Sequence, residues 1–94
     1  MPQKFFLVKK GPADPFRGDW YIEEKAFNDF NEAIAYAAKL TINNFNEFKK
    51  DWDEFGYEWS VFEKKESTET KLWEGYKYIS LVRKGEKNID GGKV

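Results

Sequence analysis

The chain contains no cysteine and no histidine. The first absence excludes a disulfide framework and a thiolate nucleophile, and the second removes the side chain that most often shuttles protons or ligates zinc near neutral pH. Arginine is nearly missing, with two residues against fourteen lysines. Charge of one sign is lacking too: 16 Lys and Arg face 17 Asp and Glu, for a formal net charge of −1. That balance is not the footprint of a polybasic protein made for nucleic acid or anionic lipid. Near the N-terminus the apolar run Phe5 to Val8 falls far short of a signal-peptide core or of the ~20 residues of a membrane span. The expectation is therefore a cytoplasmic, non-membrane, non-enzymatic protein with no metal and no cofactor.

What is present is aromatic. Of 94 residues 19% are Phe, Trp or Tyr and 40% are hydrophobic, enough for one core but not for two. A single domain is expected over residues 1–85, with a flexible C-terminal tail over 86–94, where apolar periodicity stops.

The pattern along the chain predicts an α+β fold in the order β-β-α-α-β-β. Lys4 to Lys10 sets Phe5 and Leu7 on one side of a strand and Phe6 and Val8 on the other. Gly11-Pro12-Ala13-Asp14-Pro15 interrupts it, and an extended segment resumes over Asp19–Lys25 through Trp20, Tyr21 and Ile22. Asp29 with Glu32 forms a capping box, after which Phe30, Ala33, Ile34, Ala37 and Leu40 recur at helical spacing. The alanines make that face thin, so the helix can lie close to a sheet. A weaker box at Asn44 and Glu47 predicts a second helix over Asn44–Phe55, with Phe45, Phe48, Trp52 and Phe55 as a buried seam, although Ile42 and Phe45 also suit a continuation of the first.

Tyr57, Trp59 and Val61 alternate with Glu58 and Ser60 as a third strand. A charged hairpin loop is expected over Lys64–Thr70, and a long fourth strand over Leu72–Arg83, with a bulge at Gly75. The whole reads as a four-stranded, mainly antiparallel sheet with its helices on one face.

On that sheet, Tyr21, Phe62, Tyr76 and Tyr78 are predicted to share the helix-free face. Tyrosine joins broad apolar area to a hydroxyl at small entropic cost, so these four are the candidate partner-binding residues, for another protein or a second copy of the chain. A microbial or viral accessory or inhibitor protein, acting by stoichiometric binding, fits the small size and the lysine and asparagine usage. The alternative is a nucleic-acid surface built from Lys64, Lys65, Lys71, Lys77, Arg83 and Lys84 around stacking rings. Acidic residues interrupt that set, and no ribonucleoprotein-type aromatic strand motif accompanies it.

Other motifs carry less. Asp51, Asp53 and Gly56 resemble the opening of a calcium loop, but Phe55 and Phe62 occupy positions where oxygen ligands belong. Arg17-Gly18-Asp19 matches an adhesion tripeptide in three common residues. Glu23-Glu24 and the acids around Trp52 read as solvated faces, and GPADPFRG lacks the spacing of a phosphate-binding loop.

Overall fold

The computed structural model describes residues 4–91, with side chains through residue 85. Strands β1 (Lys4–Pro12) and β2 (Ile22–Phe27) precede helices α1 (Phe30–Phe48) and α2 (Trp52–Phe55). Strands β3 (Tyr57–Lys65) and β4 (Thr68–Trp73) follow, then helix α3 (Gly75–Gly91). The sheet runs β2-β1-β3-β4 with every neighbouring pair antiparallel. This is the expected four-stranded α+β architecture, extended by one helix. Among the described residues, no helix is long and apolar enough to cross a membrane.

Small residues set the distance between α1 and the sheet. Asp29 caps the helix by accepting the Glu32 amide at 2.9 Å. Ala33, Ala37, Thr41 and Phe45 then recur every fourth residue as its buried stripe. Ala33 and Ala37 pack on Phe6, Val8, Trp59 and Val61, which come from the facing sides of β1 and β3. Burying each of the larger side chains contributes roughly 1.5–3 kcal/mol before chain entropy is subtracted.

The helix break expected at Asn44 lies at Lys49 instead, where φ is 53° and the amide turns back to the Phe45 carbonyl. Continuing α1 keeps Phe45 on the stripe of Ala37 and Thr41. Asn44 acts on the sheet rather than as a helix cap, since its Oδ1 accepts the Tyr57 amide at 2.7 Å and anchors the start of β3. Of the expected seam, Trp52 is fully buried and Phe45 nearly so, but Phe55 is 56% exposed. The reason is that α2 is a single turn, closed by the Gly56 amide on the Trp52 carbonyl at 2.8 Å.

The fourth strand is also shorter than its expected span of Leu72–Arg83. Its pairing ends with Trp73 opposite Val61, and the chain turns into α3. Gly75 permits this, because a Cβ there would stand 2.5 Å from the Trp59 carbonyl oxygen. The residue is thus a close-approach glycine beside β3 at the start of a helix. The Gly75 amide donates to Ser60 Oγ at 3.1 Å and the Tyr76 amide to Glu58 Oε1 at 2.8 Å, satisfying donors that a helix start leaves open. Where β4 no longer flanks β3, the Trp59 amide donates to Thr41 Oγ1 at 2.9 Å. Ile79 closes a second core with Ala13, Phe45 and Trp52.

The expected loop over Lys64–Thr70 contracts to a tight turn at Glu66 and Ser67, with Glu66 at φ 57°. The C-terminal tail expected over 86–94 falls on the last turns of α3, whose side chains are outside the described set, and on 92–94, outside the described residues.

Candidate functional site

Only half of the predicted aromatic surface assembles. Tyr21 and Phe62 meet edge to face with ring centroids 5.1 Å apart. Tyr76 and Tyr78 are not on the sheet, because the segment that carries them is α3 rather than a strand. Tyr76 lies along Trp52 with centroids 6.2 Å apart, and Tyr78 packs on Trp73 at 5.4 Å. The helix-free face is also less open than expected. Lys9 stands 4.9 Å from the Phe62 ring centre and Lys71 stands 5.8 Å from it, so two ammonium groups cover the ring.

The lysine set does not converge on one groove. Lys64 pairs with Glu69 at 3.3 Å on the β3-β4 hairpin, and Lys65 is exposed beside the turn. Lys71 is held between the Tyr21 hydroxyl at 2.8 Å and Glu74 at 2.9 Å. Lys77 and Lys84 are exposed on α3, and Arg83 bonds Asp53 at 3.1 Å. These pairings already occupy three of the six cations the nucleic-acid alternative requires, Lys64, Lys71 and Arg83, and Lys77 stands 4.0 Å from Glu74. Glu69 also receives Lys9, whose hydrogen bond, with Lys64 in support, holds the carboxyl below its ordinary value of 4.5 although burial acts the other way.

Both sheet edges carry features that discourage strand addition. The outer strands are exposed and charged, with Glu23, Glu24 and Lys25 on β2 and Glu69 and Lys71 on β4. A register irregularity between Val8 and Lys9 also interrupts the β1-β2 ladder, a feature that discourages pairing at an edge.

Two features escaped the sequence. The first is a built polar site around Glu58, the second residue of β3, a carboxyl that is only 2% exposed. Its Oε1 accepts Ser60 Oγ at 2.7 Å and the Tyr76 amide at 2.8 Å, while its Oε2 is buried without a hydrogen-bond partner among the described residues. Tyr21 reaches this place by crossing β1 at Gly11, where a Cβ would stand 2.7 Å from the tyrosine ring. A cavity of ≈ 100 Å³ is lined by Tyr21, Glu58, Lys71 and Glu74 together with Pro15 and Asp19. Little in the sequence signals it, since Glu58 and Ser60 alternate with Tyr57, Trp59 and Val61 as the polar side of an ordinary strand.

The electrostatics suit holding charge more than moving protons. Burial raises the Tyr21 pKa above 10.0, and the neighbouring Glu58 carboxylate adds to the rise against the Lys71 ammonium. Burial acts to lower the Lys71 pKa, but its bonds to Tyr21 and Glu74 prevail and hold it above 10.5. At neutral pH the phenol therefore keeps its proton and the amine its charge, so neither is poised as a general base.

The second feature is the turn Pro15–Arg17. Asp14 Oδ1 accepts the Phe16 amide at 2.9 Å, and Arg17 Nη1 donates to the Gly56 carbonyl at 2.6 Å. Despite this anchoring Phe16 is 97% exposed, and Trp20 and Phe55 are 40% and 56% exposed in neighbouring segments. Beyond Asp53 lies an open cleft of ≈ 460 Å³ lined by Phe45, Lys49, Lys50 and Arg83. Comparison with protein-family models, with curated proteins and with solved structures finds no match.

Proposed function

We propose that the protein is a non-enzymatic binding module that engages a protein partner stoichiometrically, with Phe16 as the anchor inserted into an apolar socket of that partner. The observation that carries this reading is the 97% exposure of a phenylalanine on a turn fixed from both sides, by Asp14 and by Arg17. A free aromatic ring contributes nothing to the fold, whereas its burial on binding is worth roughly 1.5–3 kcal/mol. Fixing the turn in advance lowers the ordering cost that association must overcome. The absence of histidine and cysteine, and the high pKa values of Tyr21 and Lys71, support binding over catalysis.

The test is affinity capture from the source organism with the wild-type chain and with Phe16→Ala, followed by reconstitution from purified components. A specific protein held by the wild type and lost by a folded Phe16→Ala chain supports the proposal. Equal capture by both removes Phe16 from it. A solution mass of two chains that returns to one in Phe16→Ala makes the partner a second copy.

A further inference from the structure

We propose that the cavity between the Pro15 turn, Tyr21 and the start of α3 binds a primary ammonium group, carried by a lysine side chain or a short alkylamine, with Glu58 as its principal acceptor.

Three lines lead there. The Glu58 side chain is buried, yet among the described residues its Oε2 receives no close hydrogen bond, with the Tyr21 hydroxyl beside the carboxylate. A desolvated carboxyl oxygen left in that state is costly, and a cation bearing N–H groups is the ligand that relieves it. Charge points the same way: Asp19, Glu58 and Glu74 line the cavity against Lys71 alone, whose ammonium is already engaged by Tyr21 and Glu74. An ammonium presents three donors to these acceptors.

Size narrows the class further. A cavity of ≈ 100 Å³ admits an ammonium with its first methylenes and is small beside the about 300–1,000 Å³ of ordinary ligand pockets. Pro15 and Tyr76 supply apolar wall for those methylenes. Among the described residues no three carboxylates draw together tightly enough to hold a metal ion, which favours a ligand satisfied by hydrogen bonds from separated acceptors.

The experiment follows the Gly75 and Tyr76 backbone amides by NMR while propylammonium chloride is added at constant ionic strength. Parallel titrations use tetramethylammonium chloride, which has the charge but no N–H, and lysine blocked at both its backbone amino and carboxyl ends. Saturable shifts with propylammonium and none with tetramethylammonium are expected. Tighter binding of blocked lysine assigns a side chain as the natural occupant, and tighter binding of propylammonium assigns a free amine. Glu58→Gln should weaken binding about tenfold or more, the effect of losing a charged hydrogen bond. Because Glu58 also caps α3, Glu74→Gln at the rim serves as a second variant, with a severalfold loss expected. The absence of saturation in the wild type, an equal response to tetramethylammonium, or undiminished binding by a folded Glu58→Gln or Glu74→Gln chain overturns the assignment. Phe16→Ala should keep the site, so this result stands apart from the partner proposal.

Discussion

Glu58, buried at the start of β3, accepts the Tyr76 amide at 2.8 Å, and so a strand side chain caps the helix that follows the sheet. Ser60 completes the arrangement, taking the Gly75 amide and donating its own hydroxyl to Glu58. Replacing Glu58 with alanine strands both the Tyr76 amide and the Ser60 hydroxyl. The expected cost is about 1–3 kcal/mol, read as a lower denaturation midpoint with loss of amide protection at the start of α3. Unchanged protection there would mean that Glu58 does not hold the helix.

Trp52 and Phe55 lie one turn apart but should respond oppositely to truncation. Trp52 is fully buried between Phe45 and Tyr76, and its indole donates to the Tyr57 carbonyl at 2.9 Å. Trp52→Ala is expected to cost about 3–5 kcal/mol in chemical denaturation. Phe55→Ala, at a largely exposed position, should stay within about 0.5 kcal/mol of wild type.

Lys49 holds φ 53° and ψ −125°, a conformation that favours glycine. Lys49→Gly is therefore expected to stabilise the fold by about 1 kcal/mol, seen as a higher melting temperature. Gly75→Ala should do the reverse by about 1–3 kcal/mol, because its Cβ meets the Trp59 carbonyl and Thr41 Oγ1.

Alkaline pH should loosen the Tyr21–Lys71 contact. Both groups have folded pKa values above their ordinary ones, so the folded chain retains protons that the unfolded chain has begun to release. Their contribution is complete below about pH 10 and declines as pH rises through the folded values. The phenolate absorbance that disappears in Tyr21→Phe should titrate above 10.0, and that variant should lose less stability on the alkaline side. Titration of that absorbance below 10.0 contradicts the assignment.

The legible parts of the fold are those encoded locally. Asp29 with Glu32 marks a helix start within four residues, and Ala33 and Ala37 announce a thin helix face in their own spacing. The segment after Trp73 carries a helical period, with Tyr76, Ile79 and Val82 three residues apart and Tyr78 and Val82 four apart, but its aromatic and β-branched residues also suit a strand, and a strand reading overlooks that period. Distant contacts decide it: the Trp59 backbone against Gly75, and Glu58 against the Tyr76 amide. Glu58 itself reads as the solvent side of an alternating strand. Its burial depends on Tyr21 crossing Gly11 and on α3 arriving from the other side, neither of which is written near it. The Pro15 turn is readable as a loop, but a ring left in water is contrary to the usual fate of phenylalanine.

The most direct measurement is the affinity of the purified partner for wild type and Phe16→Ala, with thermal unfolding of each chain recorded alongside. The account predicts equal melting temperatures and binding weakened about tenfold to a hundredfold by the loss of a single anchoring ring. Equal affinities at equal stability contradict it, and would return the search for a docking surface to the rest of the molecule.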